Sequence, residues 1–192
     1  MTFAVGGAWK SGLLEPELPM DLSIQACGSY RLTEVLATGE VVVGTVGAPT
    51  AKTFAAIGDT TNLASRLEGV NKVYGTTVIV AEETHRLAQD VVDARELDIV
   101  IVVGKTEPIR IFELLGPAGS LESGILELRD LYVQGLEAYR QQDWDTAEKR
   151  LQQCLRLHPD DGPSRVLLER IAAYREVAPA PGWNGVWRLG EK

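Results

Sequence analysis

The sequence predicts an α+β fold followed by a small, all-helical tail. Between residues 34 and 116, strand-like segments rich in β-branched residues alternate with segments of helical periodicity. From 124 to 178 only helical periodicity remains, and a linker of small residues at 117–123 separates the two parts. Interleaved strands and helices indicate helices packed on one face of a sheet, so we expect one main domain with a helical appendage.

The composition is that of a soluble globular protein. Of the 192 residues, 45% are hydrophobic and 24% are charged, and no apolar run reaches the length that spans a bilayer. The net charge of −8 argues against non-specific binding to nucleic acid or to an anionic membrane. Cys27 and Cys154 lie far apart and form no disulfide or zinc pattern, and the start lacks a secretory signal pattern. We therefore expect a cytoplasmic protein.

The first 33 residues form the least regular part of the sequence. Gly6, Gly7, Gly12, Pro16 and Pro19 interrupt any period. We interpret 1–33 as irregular and poorly folded. A wrong start or a disrupted gene is one explanation for this segment.

The domain that follows is predicted element by element. The run 41–43, between glycines, indicates a buried strand, and the turn at Gly47 and Pro49 leads into a second strand at 53–57. A central helix is predicted over 60–73, closed by Tyr74 and Gly75. The remaining predicted elements are strands at 77–80, 96–103 and 109–115, and a short helix at 81–87.

The central helix carries the residues that indicate a binding site. Asp59 or Thr60 is placed to cap it, and Asn62 and Arg66, four residues apart, project from one face near its positive end. A carboxamide beside a guanidinium suits an anion, most simply phosphate. The alternative is that Asn62 is a capping residue and Arg66 a solvated surface charge, and spacing alone favours that alternative.

Four motifs occur in one order along the main domain: 39–47 (GEVVVGTVG), 57–69 (IGDTTNLASRLEG), 71–75 (NKVYG) and 104–108 (GKTEP). This series resembles the C-terminal half of the catalytic domain of class III adenylate/guanylate cyclases, over about 34–116. The resemblance implies a ferredoxin-like cyclase sheet, here incomplete, with helices on one face. It also implies a role in cyclic-nucleotide signalling, converting ATP or GTP to a cyclic nucleotide and pyrophosphate.

In that family a nucleoside triphosphate binds between two catalytic domains of a head-to-tail dimer. One domain holds two Mg or Mn ions on two aspartates, and the other supplies an Asn and an Arg that stabilise the transition state. Asn62 and Arg66 match this Asn and Arg. Lys105 lies where the family keeps a basic residue near the triphosphate, although Val103 replaces a second common lysine, and a solvated turn lysine is the alternative.

Two features depart from the family pattern. The metal-binding aspartates lie upstream in the family, whereas Asp21 is the only aspartate before Asp59 and its surroundings resemble neither motif. Ala55, three positions before Gly58, occupies the base-selecting position, where the family usually has Asp or Thr, so ATP and GTP are not distinguished. We therefore expect a truncated cyclase that binds no metal by itself, needs a dimer partner and is inactive alone.

The tail is predicted to contain three helices, at 126–139, Trp144–Leu157 and 165–177, with Ser164 capping the third. The first two resemble one tetratricopeptide repeat. A lone repeat cannot bury both faces, so we expect it to pack on the cyclase-like domain or on a partner. The alternative function of the chain is accordingly a protein-interaction module that acts through this tail.

The C-terminal run 179–192 offers two large apolar side chains, Trp183 and Trp187. We expect it to fold back over the third helix, and a docking peptide for another subunit is the alternative. The order of repeat, loop and tryptophan pair resembles the tail of some bacterial membrane-bound sensor cyclases, so full-length relatives are expected to be membrane-anchored.

Overall fold

The computed structural model describes residues 2–4, 34–48 and 51–190. Of the segment 1–33, which was predicted to be irregular, only residues 2–4 are described, and they form a strand. The predicted turn residue Pro49 lies outside the described residues. The strands are β1 (Thr2–Ala4), β2 (Glu34–Thr38), β3 (Val42–Ala48), β4 (Ala51–Ile57), β5 (Val78–Ala81), β6 (Val92–Ile101), β7 (Ile109–Pro117) and β8 (Trp187–Arg188). The helices are α1 (Asp59–Tyr74), α2 (Glu82–Ala88), α3 (Ser123–Arg140), α4 (Trp144–Leu157) and α5 (Gly162–Glu176).

Six strands form a mixed sheet in the order β1-β2-β5-β7-β6-β8. The pairs β2–β5 and β6–β8 are parallel, and the remaining neighbours are antiparallel. Helix α1 lies in the connection from β2 to its parallel neighbour β5, so α1 begins at the edge of the sheet where the parallel strands end. The mixed α+β class is as predicted.

Each face of the sheet has its own apolar core. The first face, covered by α1, includes Val35, Ile79 and Ile111 packed against Leu67 and Val70. The second face is formed by Val78, Val80 and Phe112. The ring of His85, on α2, stacks on Phe112 at a centroid distance of 4.0 Å. The expectation that all helices lie on one face is thus wrong for α2, because alternate residues on both faces of β5 are apolar and each side needs cover.

Strands β3 and β4 form a separate hairpin, paired from Val42 opposite Ile57 to Ala48 opposite Ala51. The prediction that the strand at 41–43 is buried is wrong, because Val42 is 75% exposed and Val43 is 38% exposed. β-Branched residues favour extended backbone whether or not the strand is covered, so the apolar run predicts a strand without fixing its environment.

Helix α1 is closed as predicted by Gly75, but it begins differently from the prediction. Its N-cap is Gly58, with no side-chain cap hydrogen bond, so neither Asp59 nor Thr60 caps it. Near its C-terminal end, Asn71 is fully buried and its Nδ2 donates to the carbonyl oxygens of Glu34 and Thr77, at 3.1 and 3.2 Å. This amide fixes the end of α1 to the start of the two parallel strands.

The three predicted tail helices are present, and α4 has the predicted bounds. Helix α5 begins earlier than predicted because its N-cap is Asp161, whose carboxylate accepts a hydrogen bond from the backbone N–H of Ser164 at 3.0 Å. Ser164 is therefore inside the helix, and its predicted capping role is wrong. The tail has its own core, which includes Leu128, Leu151 and Ile171.

The tail packs on the sheet of the main domain, which is one of the two expected arrangements; the other was packing on a partner. The Tyr132 hydroxyl donates to the carbonyl oxygen of Leu97 at 2.9 Å. The guanidinium of Arg95, on β6, bonds the carboxylate of Asp161 at 2.5 Å, and both side chains are almost fully buried. Helices α3 and α5 thus extend the helical layer that α1 begins.

A second buried cluster, which we name the tail clamp, joins three elements through Tyr74 of α1, Asp98 of β6 and Arg170 of α5. Arg170 Nη1 and the Tyr74 hydroxyl each donate to Asp98 Oδ2 at 2.5 Å, and Arg170 Nη2 lies 2.9 Å from the Tyr74 oxygen. Burial, with the nearby Asp98 carboxylate, raises the pKa of Tyr74, so it stays a neutral donor. The clamp makes the tail part of the same folded unit as α1.

The C-terminal run folds back over the tail, as predicted. The ring of Trp183 packs on Tyr139 and Tyr174, with centroid distances of 5.2 and 5.1 Å. The Trp187 ring lies 3.9 Å beneath the Arg170 guanidinium, and its backbone pairs with Val100. Among the described helices, none is long and apolar enough to cross a membrane.

These contacts predict that a fragment of residues 34–116 is marginally stable or aggregates. Removing the tail uncovers the part of the first face that α1 does not cover, and it separates the buried charges of Arg95 and Asp98 from their partners Asp161 and Arg170. Losing a few hundred Å² of apolar burial, at about 25 cal/mol per Å², removes most of a typical stability of about 5–15 kcal/mol. Thermal unfolding and light scattering of this fragment test the prediction. A sharp, reversible transition of a monomer would contradict it.

Candidate functional site

The candidate site lies at the N-terminal end of α1, at the edge of the sheet where β2 and β6 end. Asn62 is exposed, and its backbone N–H makes an early bond of the helix, to the Gly58 carbonyl oxygen at 3.2 Å. Arg66 lies one turn further along and is half-buried. Since Gly58 is the N-cap, the alternative in which Asn62 caps the helix is wrong.

The guanidinium of Arg66 packs against the turn between β6 and β7. A Cβ on Gly104 would lie 3.1 Å from Arg66 Nη2 and 3.3 Å from Nη1, which is a tight contact. The φ of +71° at Gly104 is the feature that favours glycine there. Arg66 Nη1 is buried and has no hydrogen-bond partner among the described residues. The alternative in which Arg66 is simply a solvated surface charge is therefore wrong.

An unpartnered, buried guanidinium nitrogen is costly, since it loses water without gaining an acceptor. An anionic ligand at this position would supply that acceptor. The nearby N-terminus of α1 carries a partial positive charge from its backbone dipoles, which favours the same kind of ligand.

Lys105 follows Gly104 in the same turn, where its backbone N–H bonds the Val102 carbonyl oxygen at 3.0 Å. Its ammonium group forms an ion pair with the carboxylate of Asp59, the first residue of α1. It is half-buried rather than freely solvated. This pair ties the turn to the helix and places a second cation at the edge where Arg66 lies.

A cleft of about 610 Å³ lies beside the start of α1, at the base of the β3–β4 hairpin. Its lining residues are Thr38, Gly39, Glu40, Val41, Val42, Ile57 and Gly58. Ala55, at the predicted base-selecting position, is half-buried on β4 opposite Gly44. Its methyl group has no hydrogen-bonding atom with which to read a purine edge.

Within 34–45 and 55–190, no three His, Cys, Asp or Glu residues come together in a group that could hold a metal ion. The carboxylate of Asp59, at the start of α1, is paired with Lys105, and Glu40 lines the cleft beside it. Asp21 lies outside the described residues.

Sequence reasoning missed two features of this site. The pairing of Asp59 with Lys105 joins residues 46 positions apart, and no spacing pattern signals it. The contact between Arg66 and Gly104 was also missed, although a glycine at a strand end inside a recognised motif is a signal for close approach.

Comparison with known proteins finds similarity to adenylate cyclases. No protein-family model matches the chain. The terminal-differentiation-specific adenylate cyclase of Dictyostelium discoideum is 26% identical over 159 residues, covering 78% of this chain and 7% of that protein. Adenylate cyclase 1 of Rhizobium meliloti is 42% identical over 87 residues, covering 45% of this chain and 13% of that protein. The chain thus spans a small fraction of the length of these relatives.

A solved structure, the adenylyl cyclase CyaB from P. aeruginosa, is 28% identical, with a TM-score of 0.38, and the match covers 47% of this chain and 44% of that one. The chain is thus similar in sequence to adenylate cyclases, in agreement with the resemblance of its motifs. Neither comparison supports the likeness of the tail to a tetratricopeptide repeat, which stays a prediction.

Proposed function

We propose that this chain supplies the transition-state-stabilising half of a nucleotidyl cyclase site. The observation that carries the proposal is the unpartnered Arg66 guanidinium beside Lys105 at the start of α1, within a chain similar to adenylate cyclases. Two cations and a helix N-terminus at one edge of the sheet suit a ligand with several phosphates.

The reaction we propose is attack of the ribose 3′-oxygen of ATP or GTP on the α-phosphorus. A new oxygen–phosphorus bond closes the cyclic nucleotide, the 3′-hydroxyl gives its proton to water, and the bond to the leaving pyrophosphate breaks. Arg66 and Asn62 donate hydrogen bonds to the negative charge that develops around the α-phosphate. Lys105 binds the leaving phosphates, and its ion pair with Asp59 breaks when it does so.

We further propose that a second catalytic domain completes the site in a head-to-tail dimer. We propose that this second domain supplies the two metal-binding aspartates of the family, because Asp21 is the only aspartate before Asp59 in this sequence and its surroundings resemble neither family motif. We therefore expect the chain alone to be inactive. We place it in the cytoplasm, where ATP and GTP are available.

A complementation assay tests the proposal. The partner is the catalytic domain of a class III cyclase that keeps its metal aspartates but has its own Asn and Arg replaced by alanine. We expect cyclic-nucleotide production from Mn²⁺ and either ATP or GTP only when this partner is mixed with the chain. No product from a mixture in which both proteins are folded would reject the proposal.

The alternative function, a protein-interaction module acting through the tail, finds little support in the packing. Among the described residues, the apolar faces of the tail helices pack on each other and on the sheet. The two tryptophans of the C-terminal run, Trp183 and Trp187, are likewise packed within the chain. The packing thus leaves the tail without a large free apolar face.

A further inference from the structure

We propose that Arg188, on the C-terminal strand β8, is a further phosphate-binding residue of this site. The inference rests on the proposed function, because it assigns Arg188 to the same polyphosphate ligand. None of the motifs in the sequence singles out Arg188, and its role follows from the way the C-terminal run joins the sheet.

Strand β8 adds to the sheet beside β6 and runs parallel to it, with Trp187 opposite Val100 and Arg188 opposite Ile101. The backbone N–H of Leu189 continues the ladder by donating to the Ile101 carbonyl oxygen at 3.1 Å. Because parallel strands end at the same edge, β8 brings Arg188 to the end of β6 that leads into the Gly104 turn.

A cleft of about 340 Å³ lies between this strand and the turn. Its lining residues are Ile101, Val102, Val103, Gly104, Lys105, Arg188, Leu189 and Gly190. The two charged side chains in this lining are both positive, Lys105 and Arg188, in a protein whose net charge is −8. Lys105 is paired with Asp59, whereas no ion-pair partner of Arg188 lies among the described residues, so Arg188 supplies the uncompensated positive charge that favours an anion here.

Arg188 is exposed and has no ion-pair or hydrogen-bond partner on its side chain among the described residues. Its neighbour Trp187 is held beneath the Arg170 guanidinium and against the Tyr74-bearing core. The backbone of Arg188 is therefore fixed while its guanidinium stays free to bind. Because the backbone is already ordered, ligand binding restricts only the side chain, and the cost of ordering the backbone is avoided.

The three cations border one turn. Arg66 packs on Gly104, Lys105 follows it in sequence, and Arg188 lines the cleft that Gly104 and Lys105 also line. A single phosphate contacts few side chains, whereas a polyphosphate chain can contact several cations arranged along a turn. We therefore assign to this cleft the terminal phosphates of a nucleoside triphosphate or the pyrophosphate that leaves.

Calorimetric binding of inorganic tripolyphosphate to the purified chain, at low salt and without metal, tests the assignment. We expect Arg188→Gln to weaken binding about fivefold, because it removes one largely exposed charge contact. Arg188→Lys keeps the charge and should retain most of the affinity. The matched control is Arg156→Gln, at an exposed arginine of α4 away from the cleft, which should bind as the unmodified chain does.

The outcomes separate this inference from the function on which it rests. If Arg188→Gln, with unchanged thermal unfolding, binds tripolyphosphate like the unmodified chain, or if that chain does not bind it, the assignment is wrong. If Arg188→Gln weakens binding while the complementation assay yields no product, the anion site stands and the proposed function fails. If product forms and the KM for ATP is the same with Arg188→Gln, the function stands and this role of Arg188 is overturned.

Discussion

Replacing Arg66 with alanine is expected to reduce product formation in the complementation assay by about 10²- to 10³-fold, the usual cost of removing one preorganised donor to transition-state charge. The guanidinium lies against Gly104 with one buried nitrogen lacking a partner, so it is positioned before any ligand binds. Its contribution should appear chiefly in kcat, because the charge it meets develops during the reaction.

The matched control for this substitution is Arg86→Ala. Arg86 is an exposed arginine on α2 that pairs with Glu83, away from α1, and its loss should leave product formation unchanged. Thermal unfolding of both variants verifies that each is folded. A folded Arg66→Ala variant with activity within about threefold of the unmodified chain would remove Arg66 from the chemistry, since donors of this kind contribute far more.

Replacing Asp98 with alanine is expected to lower the free energy of unfolding by about 3–5 kcal/mol, because it leaves the buried charge of Arg170 uncompensated. Asp98 is fully buried and accepts hydrogen bonds from both Tyr74 and Arg170. Its other carboxylate oxygen accepts from the backbone N–H of Ile99 at 2.8 Å. Urea unfolding, followed by circular dichroism, measures the change.

Two further variants show whether the tail clamp is the cause. Asp160→Ala removes an exposed carboxylate that pairs with Arg165, and should change stability by less than about 1 kcal/mol. Asp98→Ala combined with Arg170→Met removes both charges and should recover part of the loss. An Asp98→Ala protein as stable as the Asp160→Ala control would mean that the tail is held by its apolar contacts alone.

The tail clamp also links the tail to the candidate site through α1. That helix is joined to the turn after β6 at its first residue, by the pair of Asp59 with Lys105, and to α5 at its last residue, by Tyr74. Gly162 lies so close to the Tyr74 carbonyl oxygen that a Cβ there would overlap it. The helix carrying Asn62 and Arg66 is thus fixed at both ends.

Local sequence patterns predicted most helices and strands well. The apolar face and the limits of α4 follow from periodicity and from Pro159, and Gly75 marks the end of α1. Cap positions were less predictable, because Asp161 and Ser164 are both good capping residues and only the structure shows which one accepts the hydrogen bond.

Features that depend on distant residues could not be read from the sequence. Asp98 and Arg170 are 72 positions apart, and Tyr74 and Arg170 are 96 apart, so no local pattern brings them together. A charged residue in a strand or helix is ordinarily expected at the surface, and pairing alone makes these burials tolerable. The exposure of Val42 was missed for a related reason, since hydrophobicity does not identify what covers a strand.

The most direct test of the account is a titration of the metal-bearing partner domain into a fixed concentration of this chain, with Mn²⁺ and ATP. We expect no product from the chain alone, a rise that saturates as partner is added, and no rise with Arg66→Ala. Product at zero partner that disappears with Arg66→Ala would contradict the account, because the chain would then contain a complete catalytic site of its own.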